Sequence, residues 1–413
     1  MKVAVVGAGI SGLGAAYLLA RRHDVEVFER AGYAGGHTHT VEHRIDGRSL
    51  RLDTGFLVHN EPNYPLLGRL FRELGVATQD SEMSFSVGCR SCALEYAGYR
   101  PFAQRRNLAR PRHLRLLAEI TRWLRTARRS LDEKDYERHT LARYVDERGY
   151  SRGFRNHFLV PLTSALWSTA PERSLDFPAA YAIRFFDNHG MLGFRRHTWK
   201  TVAGGSREYV RALLLRSGAR LHLETGVSSL TRHADGVELR TEDGVARPFD
   251  KAVVATHADE ALALLTDPTP DEARILGVFA YTCNETVLHS DDRLLPARKA
   301  ARASWNFQLA DCRAPSQAPT ITYYLNHLQR LDEPEHYCVT LNRTADIRED
   351  RVIERLVYHH PLYTPASVAA QEALPALNGA AHTVYCGAYH GFGFHEDGLV
   401  SGLAAARALG ADP

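Results

Sequence analysis

The first thirty residues constrain the fold more than any other part of this 413-residue chain. Residues 2–6, Lys-Val-Ala-Val-Val, read as a buried parallel strand. Gly7-Ala8-Gly9-Ile10-Ser11-Gly12 follows, then a helix expected from Leu13 to Arg21. Gly7 permits the tight turn, Gly9 lets the backbone approach a pyrophosphate, and Gly12 lets the helix pack closely on the strand. The helix N-terminus, with free N–H groups and a positive dipole end, then faces the phosphates. A second strand, Val25 to Phe28, ends at Glu29 and Arg30. An acid about 20 residues past the glycines accepts hydrogen bonds from ribose hydroxyls. Strand, glycines, helix and acid together specify an α/β, Rossmann-like nucleotide-binding domain. They do not separate NAD from FAD.

The length suits two intertwined domains rather than one core. With 44% apolar and 24% charged residues the composition is that of an ordinary globular protein. No window approaches the ~18 consecutive apolar residues of a membrane span. The fold reads as starting at Lys2 with no signal peptide before it, so a cytoplasmic location is expected. The six cysteines (Cys89, Cys92, Cys283, Cys312, Cys338 and Cys386) are scattered, so no disulfide framework is expected. Cys89 and Cys92 form a lone C-x-x-C. A zinc site normally needs a second close pair, so the two read as thiols at a strand turn and no metal is expected.

Three further features point to FAD. Gly35-Gly36-His37-Thr38-His39-Thr40 follows Glu29, at the place where flavoproteins of the amine oxidase and phytoene desaturase superfamily carry a Gly-Gly-Arg-type loop. Asp53-Thr54-Gly55-Phe56 follows a short hairpin. Near the C-terminus, Cys386-Gly387-Ala388-Tyr389 and Glu396-Asp397-Gly398-Leu399-Val400-Ser401-Gly402 precede a small-residue helix and resemble the end of those enzymes. In the middle, Glu224-Thr225-Gly226-Val227 and the strand to Ala255 also resemble them. The resemblance implies an amine oxidase-like fold: an FAD-binding domain interleaved with a substrate domain of antiparallel sheet and helical cap. It implies cofactor contacts at Gly7, Gly9, Ile10, Ser11, Gly12, Glu29, Arg30, Gly35, Gly36, His37, Thr38, Asp53, Thr54, Gly55, Phe56, Val227, Ala255, Gly387, Ala388, Glu396, Asp397, Gly398 and Ser401. The helix start near Asp397 and Gly398 would stabilise negative charge on reduced flavin. His37 departs from the arginine of relatives.

Within that superfamily, Gly-Gly-His-Thr-His-Thr, Met83-Ser84-Phe85-Ser86-Val87, Ala255-Thr256-His257 and Gly391-Phe392-Gly393-Phe394-His395 resemble one subgroup. These are bacterial flavoproteins associated with cyclopropane, methyl-branched and furan fatty acid biosynthesis. That resemblance implies a lipid or fatty acyl substrate.

The FAD domain is expected in three pieces, 1–95, 200–260 and 380–413. Residues 96–199 would form a helical cap and 261–379 a substrate-binding sheet. A single G-x-G-x-x-G argues against a built-in nicotinamide domain. Hydride abstraction needs a C–H bond held over the flavin in a dry site. Tyr389, His395 and His39 are the candidates there: Tyr389 as aromatic packing, His395 as a proton carrier titrating near neutrality, His39 as a residue that could face the ring. Amine oxidases often place a lysine beside the flavin. No convincing equivalent exists, since Lys299 lies in a basic loop. His359-His360 sit on an extended chain with side chains on opposite faces, a poor arrangement for shared ligation.

Arg100 to Arg129 holds ten arginines and one acid, Glu119. Leu114, Leu117, Ile120, Trp123 and Ala127 recur at helical spacing, with most arginines opposite, so 111–129 reads as a basic amphipathic helix. It could pack on its own domain or dock on anionic lipid at the inner face of the membrane. No nucleic-acid motif accompanies the charge. The expected activity is FAD-dependent removal of hydrogen from an unsaturated or methyl-branched fatty acyl chain. Double-bond isomerisation and amine oxidation are the alternatives. Chain length, electron acceptor and oligomeric state are not encoded in any motif.

Overall fold

Five short strands collected from across the chain form a parallel sheet. Their spatial order is Thr383–Tyr385, Lys251–Val254, Lys2–Val6, Asp24–Phe28 and Arg220–His222. The computed structural model describes residues 1–132, 139–193, 197–314 and 318–411. Alternation along the first strand divides the core in two. Val3 and Val5 pack beneath the helices Ile10–Leu19, Arg207–Ser217 and His395–Ala408, whereas Ala4 and Val6 pack against a three-stranded meander (Val227–Arg232, Val237–Thr241, Ala246–Phe249). The first helix starts at Ile10 with Gly9 as its N-cap, three residues before the expected Leu13. The last helix crosses the first at close range: a Cβ on Gly402 would lie 2.1 Å from the Ser11 carbonyl oxygen.

The second sheet has seven strands in the order Val352–Leu362, Ala280–His289, Cys338–Leu341, Ile321–Tyr324, Trp305–Leu309, Phe85–Cys89 and Leu94–Ala97. Five junctions are antiparallel. Trp305–Leu309 and Phe85–Cys89 pair parallel, so the sheet is mixed rather than purely antiparallel. Strands at 85–97 thus belong to the large sheet although they fall mostly within the segment 1–95. A short apolar run carries no mark of which sheet it will join.

Helices Pro111–Thr126, Leu141–Glu147, Val160–Trp167 and Ala179–Asn188 cover this sheet, and Trp123, Tyr144, Phe154, Phe185 and Phe186 are buried among them. The basic helix buries Trp123 as expected, with Ala127 just beyond it, but the first part of its inward stripe shifts from Leu114 to His113 and Leu116. His113, Leu116, Glu119 and Trp123 are buried, while Leu114 is 45% exposed. The lone acid fits that inner face because Ser151 donates to it from both its backbone N–H and its hydroxyl, and Arg115 lies alongside. Among the described residues no helix is long and apolar enough to cross a membrane.

Candidate functional site

A cavity of about 560 Å³ opens at the C-terminal end of the parallel sheet, where doubly wound folds hold nucleotides. Gly7 adopts φ +102°, and a Cβ there would come within 2.9 Å of the Ala255 carbonyl oxygen. A Cβ on Gly12 would lie 2.0 Å from the Gly7 carbonyl oxygen. At Gly9 the situation reverses: nothing lies within 4 Å of an added Cβ. The open space over Gly9 is the cradle a pyrophosphate needs. No side chain caps the first helix, so its leading N–H groups remain available to an anion.

Glu29 lines the same cavity. One carboxylate oxygen accepts from the Ala8 N–H and the other from the Ala31 N–H, both at 2.9 Å. The acid is fixed by backbone donors and keeps lone pairs for hydroxyls. Arg30 pairs with Glu242 at 3.0 Å. Gly35, Gly36, Val227, Ala255, Gly387 and Ala388 complete the wall near the phosphate cradle and the meander.

A second cavity of about 170 Å³ lies between the seven-stranded sheet and the helices. Met83, Leu166, Trp167, Phe185, Met191, Trp199, Trp305 and Leu341 line it, with Thr54, Gly55 and Phe56 on one side. Among the described residues, no Lys, Arg, Asp or Glu lines it. The two cavities share His37, His360, Pro361, Gly393, Phe394 and His395. These residues form the junction.

The junction is rich in neutral imidazoles. Burial and the neighbouring His257 and His359 push His37 down to about 4. Its Nε2 has no hydrogen-bond partner, although buried polar atoms ordinarily have one. His360 is held well below its ordinary value by burial and by His37, His257 and His359. Asn284 Nδ2 donates to His360 Nδ1 at 3.0 Å, which leaves the proton on Nε2. An orphaned buried nitrogen, an uncapped helix and an open glycine cradle all fit a bound dinucleotide that runs from the first cavity into this junction.

Several expected site residues do other work. His395 does not titrate near neutrality: burial, with His37 and His59 nearby, pushes it down to about 3. Its Nε2 is engaged by the Thr38 hydroxyl (2.8 Å) and the Tyr209 hydroxyl (3.0 Å), and its ring stacks on Phe56 at 3.9 Å. It is a fixed neutral wall. His39 lines neither cavity; it stacks on Tyr33 with 4.1 Å between ring centroids. Tyr389 does line the nucleotide cavity and packs on Phe279, its hydroxyl without a partner.

Asp53 is wholly buried and lines neither cavity. Its carboxylate accepts from the Thr40 hydroxyl, the Ser206 N–H and hydroxyl, and Gln329, tying three distant segments together. Glu396 accepts from the Leu66 and Leu67 N–H groups and so caps the helix Pro65–Leu74. Asp397 accepts from the Phe394 N–H and caps its own helix, which starts at His395 rather than near Gly398. Ser401 Oγ binds the Gly387 N–H and carbonyl. Gly398 would put a Cβ 2.8 Å from Ile10, so it serves helix crossing, as does Gly12 with the first strand. Ser11 and Thr38 sit behind the wall. These side chains hold the cradle from outside rather than lining it.

Sequence reasoning gave no site role to His360 or His257 and did not single out Tyr358 or Asn284. Tyr358 donates to or accepts from the Thr54 hydroxyl at 2.6 Å and stacks on His37. Tyr358 and His360 are two apart on the strand Val352–Leu362, so they share one face, and that period-two signal was present in the sequence. His359, expected on the opposite face of the strand from His360, lines the nucleotide cavity as well. The two cavities meet at the end of that strand, where both sides of the chain are enclosed.

The chain resembles known proteins along its whole length. The fatty acid isomerase from P. acnes that produces CLA superposes with a TM-score of 0.69 at 16% identity, covering 98% of each chain. Cyclohexylamine oxidase from Brevibacterium oxydans IH-35A gives 0.67 at 16% identity, over 99% of this chain and 98% of that one. At such identities these likenesses establish the fold. In sequence, the Mycobacterium tuberculosis protein named "Putative flavin-containing monoamine oxidase AofH" is 27% identical over 284 residues, 65% of this chain. The match spans only 60% of that relative's length. The family of flavin containing amine oxidoreductases matches residues 10–410, from the first helix to the last. With the first helix from Ile10, the fixed Glu29 and the C-terminal helix all inside that span, and the glycine cradle directly before it, the chain belongs to this family and binds FAD.

Proposed function

We propose that this protein is an FAD-dependent oxidoreductase that removes hydrogen from a fatty acyl chain. The observation that carries the proposal is the second cavity: a chamber with no charged side chain among the described residues that line it, sharing its inner wall with the flavin-binding cavity. A hydrocarbon chain gains about 25 cal/mol for each Å² it buries in such a lining, whereas a charged amine would lose its hydration without a countercharge. Bound FAD supplies two-electron oxidation of a C–H bond. Trp167, Phe185, Trp305 and Phe394 exclude water and hold the chain. His360 presents an Nε2–H and His37 an unpartnered Nε2 at the junction, so a proton can be taken or given there without a standing charge. Lys299 is exposed and lines neither cavity, which agrees with an amine not being the substrate.

The basic surface supports a phospholipid-bound acyl group. Among the described residues, four of the eleven exposed large apolar side chains, Tyr99, Phe102, Leu108 and Leu114, fall within sixteen residues of chain that also hold Arg100, Arg105, Arg106, Arg110 and Arg112. Interleaved aromatics, leucines and arginines suit an anionic membrane surface. A double-bond isomerase is the second reading, favoured by the likeness to the fatty acid isomerase.

Anaerobic mixing with unsaturated phospholipid vesicles tests the reading. Lasting bleaching of the flavin is expected. A shifted double bond without lasting bleaching selects the isomerase. Hydrogen peroxide formed from polyamines, with no response to lipid, overturns both.

A further inference from the structure

The fold gathers the C-x-x-C thiols with two groups that the sequence keeps far apart. Cys89 Sγ, Cys92 Sγ, His157 and Cys312 Sγ each offer one ligand atom, and all four atoms lie within 4.8 Å of one another. Among the described residues this is the sole cluster of three or more such groups. None of the four lines the flavin cavity or the apolar cavity.

Three elements bring them together. Cys89 ends the strand Phe85–Cys89, and Cys92 sits in the turn before Leu94–Ala97, where Ala93 takes a left-handed φ of 52°. The Arg90 N–H donates to the Leu309 carbonyl at 2.9 Å and the Ser91 N–H to the Ala310 carbonyl at 3.1 Å, which zips this turn onto the chain leading to Cys312. The Ser91 hydroxyl then lies 3.7 Å from Cys312 Sγ and 3.4 Å from Cys89 Sγ. His157 comes from a single π turn, Arg155–Leu159, between two α-helical stretches. Such turns recur at functional sites because they re-aim one side chain.

His157 is oriented as a ligand. Its Nδ1 lies 3.3 Å from the Gly153 carbonyl, which can only accept, so Nδ1 carries the proton. Nε2 is left with its lone pair, 3.4 Å from Cys92 Sγ. A carbonyl behind a ligating imidazole is the usual way a metal-binding histidine is fixed. Two further bonds hold the frame: Tyr96 donates to the His157 carbonyl at 2.7 Å and Asn156 to the Cys312 carbonyl at 2.6 Å.

We propose that Cys89, Cys92, His157 and Cys312 form a closed, structural zinc site. Three thiolates and one imidazole are a soft, tetrahedral donor set that selects zinc. Zinc–sulfur bonds of about 2.3 Å require sulfurs about 3.8 Å apart, a small contraction of the observed cluster. The expectation of no metal rested on the missing second pair. The fold supplies that half from residues 157 and 312, which no spacing rule links to 89 and 92. A four-ligand site leaves no open position for chemistry, so its role is to staple the 85–97 hairpin, the 152–167 helices and the 305–312 segment at the far edge of the large sheet. Each thiol gives up its proton to solvent as zinc binds, and no electrons are transferred.

The test is metal analysis of the flavin-loaded, full-length protein purified without chelator. One zinc per chain is expected. Cys312→Ser and His157→Ala should each cut bound zinc at least tenfold, while Cys283→Ser, outside the cluster, retains it. Cobalt(II) in place of zinc should give thiolate ligand-field bands in the red, beyond the oxidised flavin's absorption. Protein that lacks zinc both as isolated and after incubation with zinc under reductant overturns the proposal. So does a mass two hydrogens lower with a Cys89–Cys92 disulfide, or iron in place of zinc. The wild-type measurement decides even where a variant fails to fold.

Discussion

The two cavities that meet at His37 and His360 are built on opposite plans. The flavin cavity is made by backbone: glycines at 7, 9, 35, 36 and 387, an uncapped helix start and carbonyls at the ends of parallel strands. The apolar cavity is made by large side chains from five separated stretches of sequence, Met83, Leu166, Phe185, Trp305 and Leu341 among them. A backbone site tolerates almost no change of residue type but recognises a moiety common to many enzymes. A side-chain site can be reshaped one residue at a time, and so it is where substrate choice resides.

The largest effect expected from breaking this contrast is at Gly12. Its added Cβ meets a backbone oxygen at 2.0 Å, which cannot move without the strand. Gly12→Val should leave less than about a tenth of the flavin and lower the yield of folded protein. Gly9→Val sharpens the comparison, since its side chain enters open space. The fold should persist with flavin lost, read by intrinsic-fluorescence melting alongside flavin absorbance. Equal damage from both variants would show that the cradle is not preformed.

In the apolar cavity the opposite pattern is expected. Leu166→Ala removes buried methyl groups at a cost of about 2–5 kcal/mol in stability, while the flavin stays bound. Its chemical denaturation midpoint and its flavin content should therefore separate. Next comes pH. Burial pushes His37, His59, His189, His289 and His390 down to about 4 and His395 to about 3, against 6.5 for the free side chain. Between these limits the unfolded chain binds more protons, so stability is lost as pH falls from 6.5 towards 4. Burial raises Asp53 and Asp397 to about 6, which acts in the opposite sense over the same window. Six imidazoles outweigh two carboxyls, so Tm should drop on acidification, and His395→Asn should flatten the slope. A Tm that rises would show the carboxyls dominating. The smallest effect is at Leu114, 45% exposed on the basic helix. Leu114→Ala should change stability by less than about 0.5 kcal/mol yet weaken sedimentation with anionic liposomes.

The contrast also explains what could be read without a structure. Gly7, Gly9, Glu29 and Ala255 were legible because a phosphate loop needs one backbone path and few sequences can follow it. The C-terminal motif was legible as a motif but not in its roles. Glu396 and Asp397 look like ligands in a string of residues, yet a carboxylate beside a helix start is as readily a cap, and only the position of Leu66 and Phe394 decides. His360 was hidden because its importance comes from Asn284, 76 residues away. The inward stripe of the basic helix was misread at Leu114 because Glu119 could be buried only once Ser151 was known to meet it.

The strand order has a consequence for how the protein is made. The parallel sheet takes its strands from residue 2 to residue 385, with the 383–385 strand seated beside 251–254 and that one beside 2–6. The helix that follows must then settle on the first helix through Gly402. During synthesis the glycine loop therefore waits until residues 383–408 have been made before its partners exist. A chain truncated before residue 383 lacks the strand and helix that complete the flavin cavity, and is expected not to retain the cofactor.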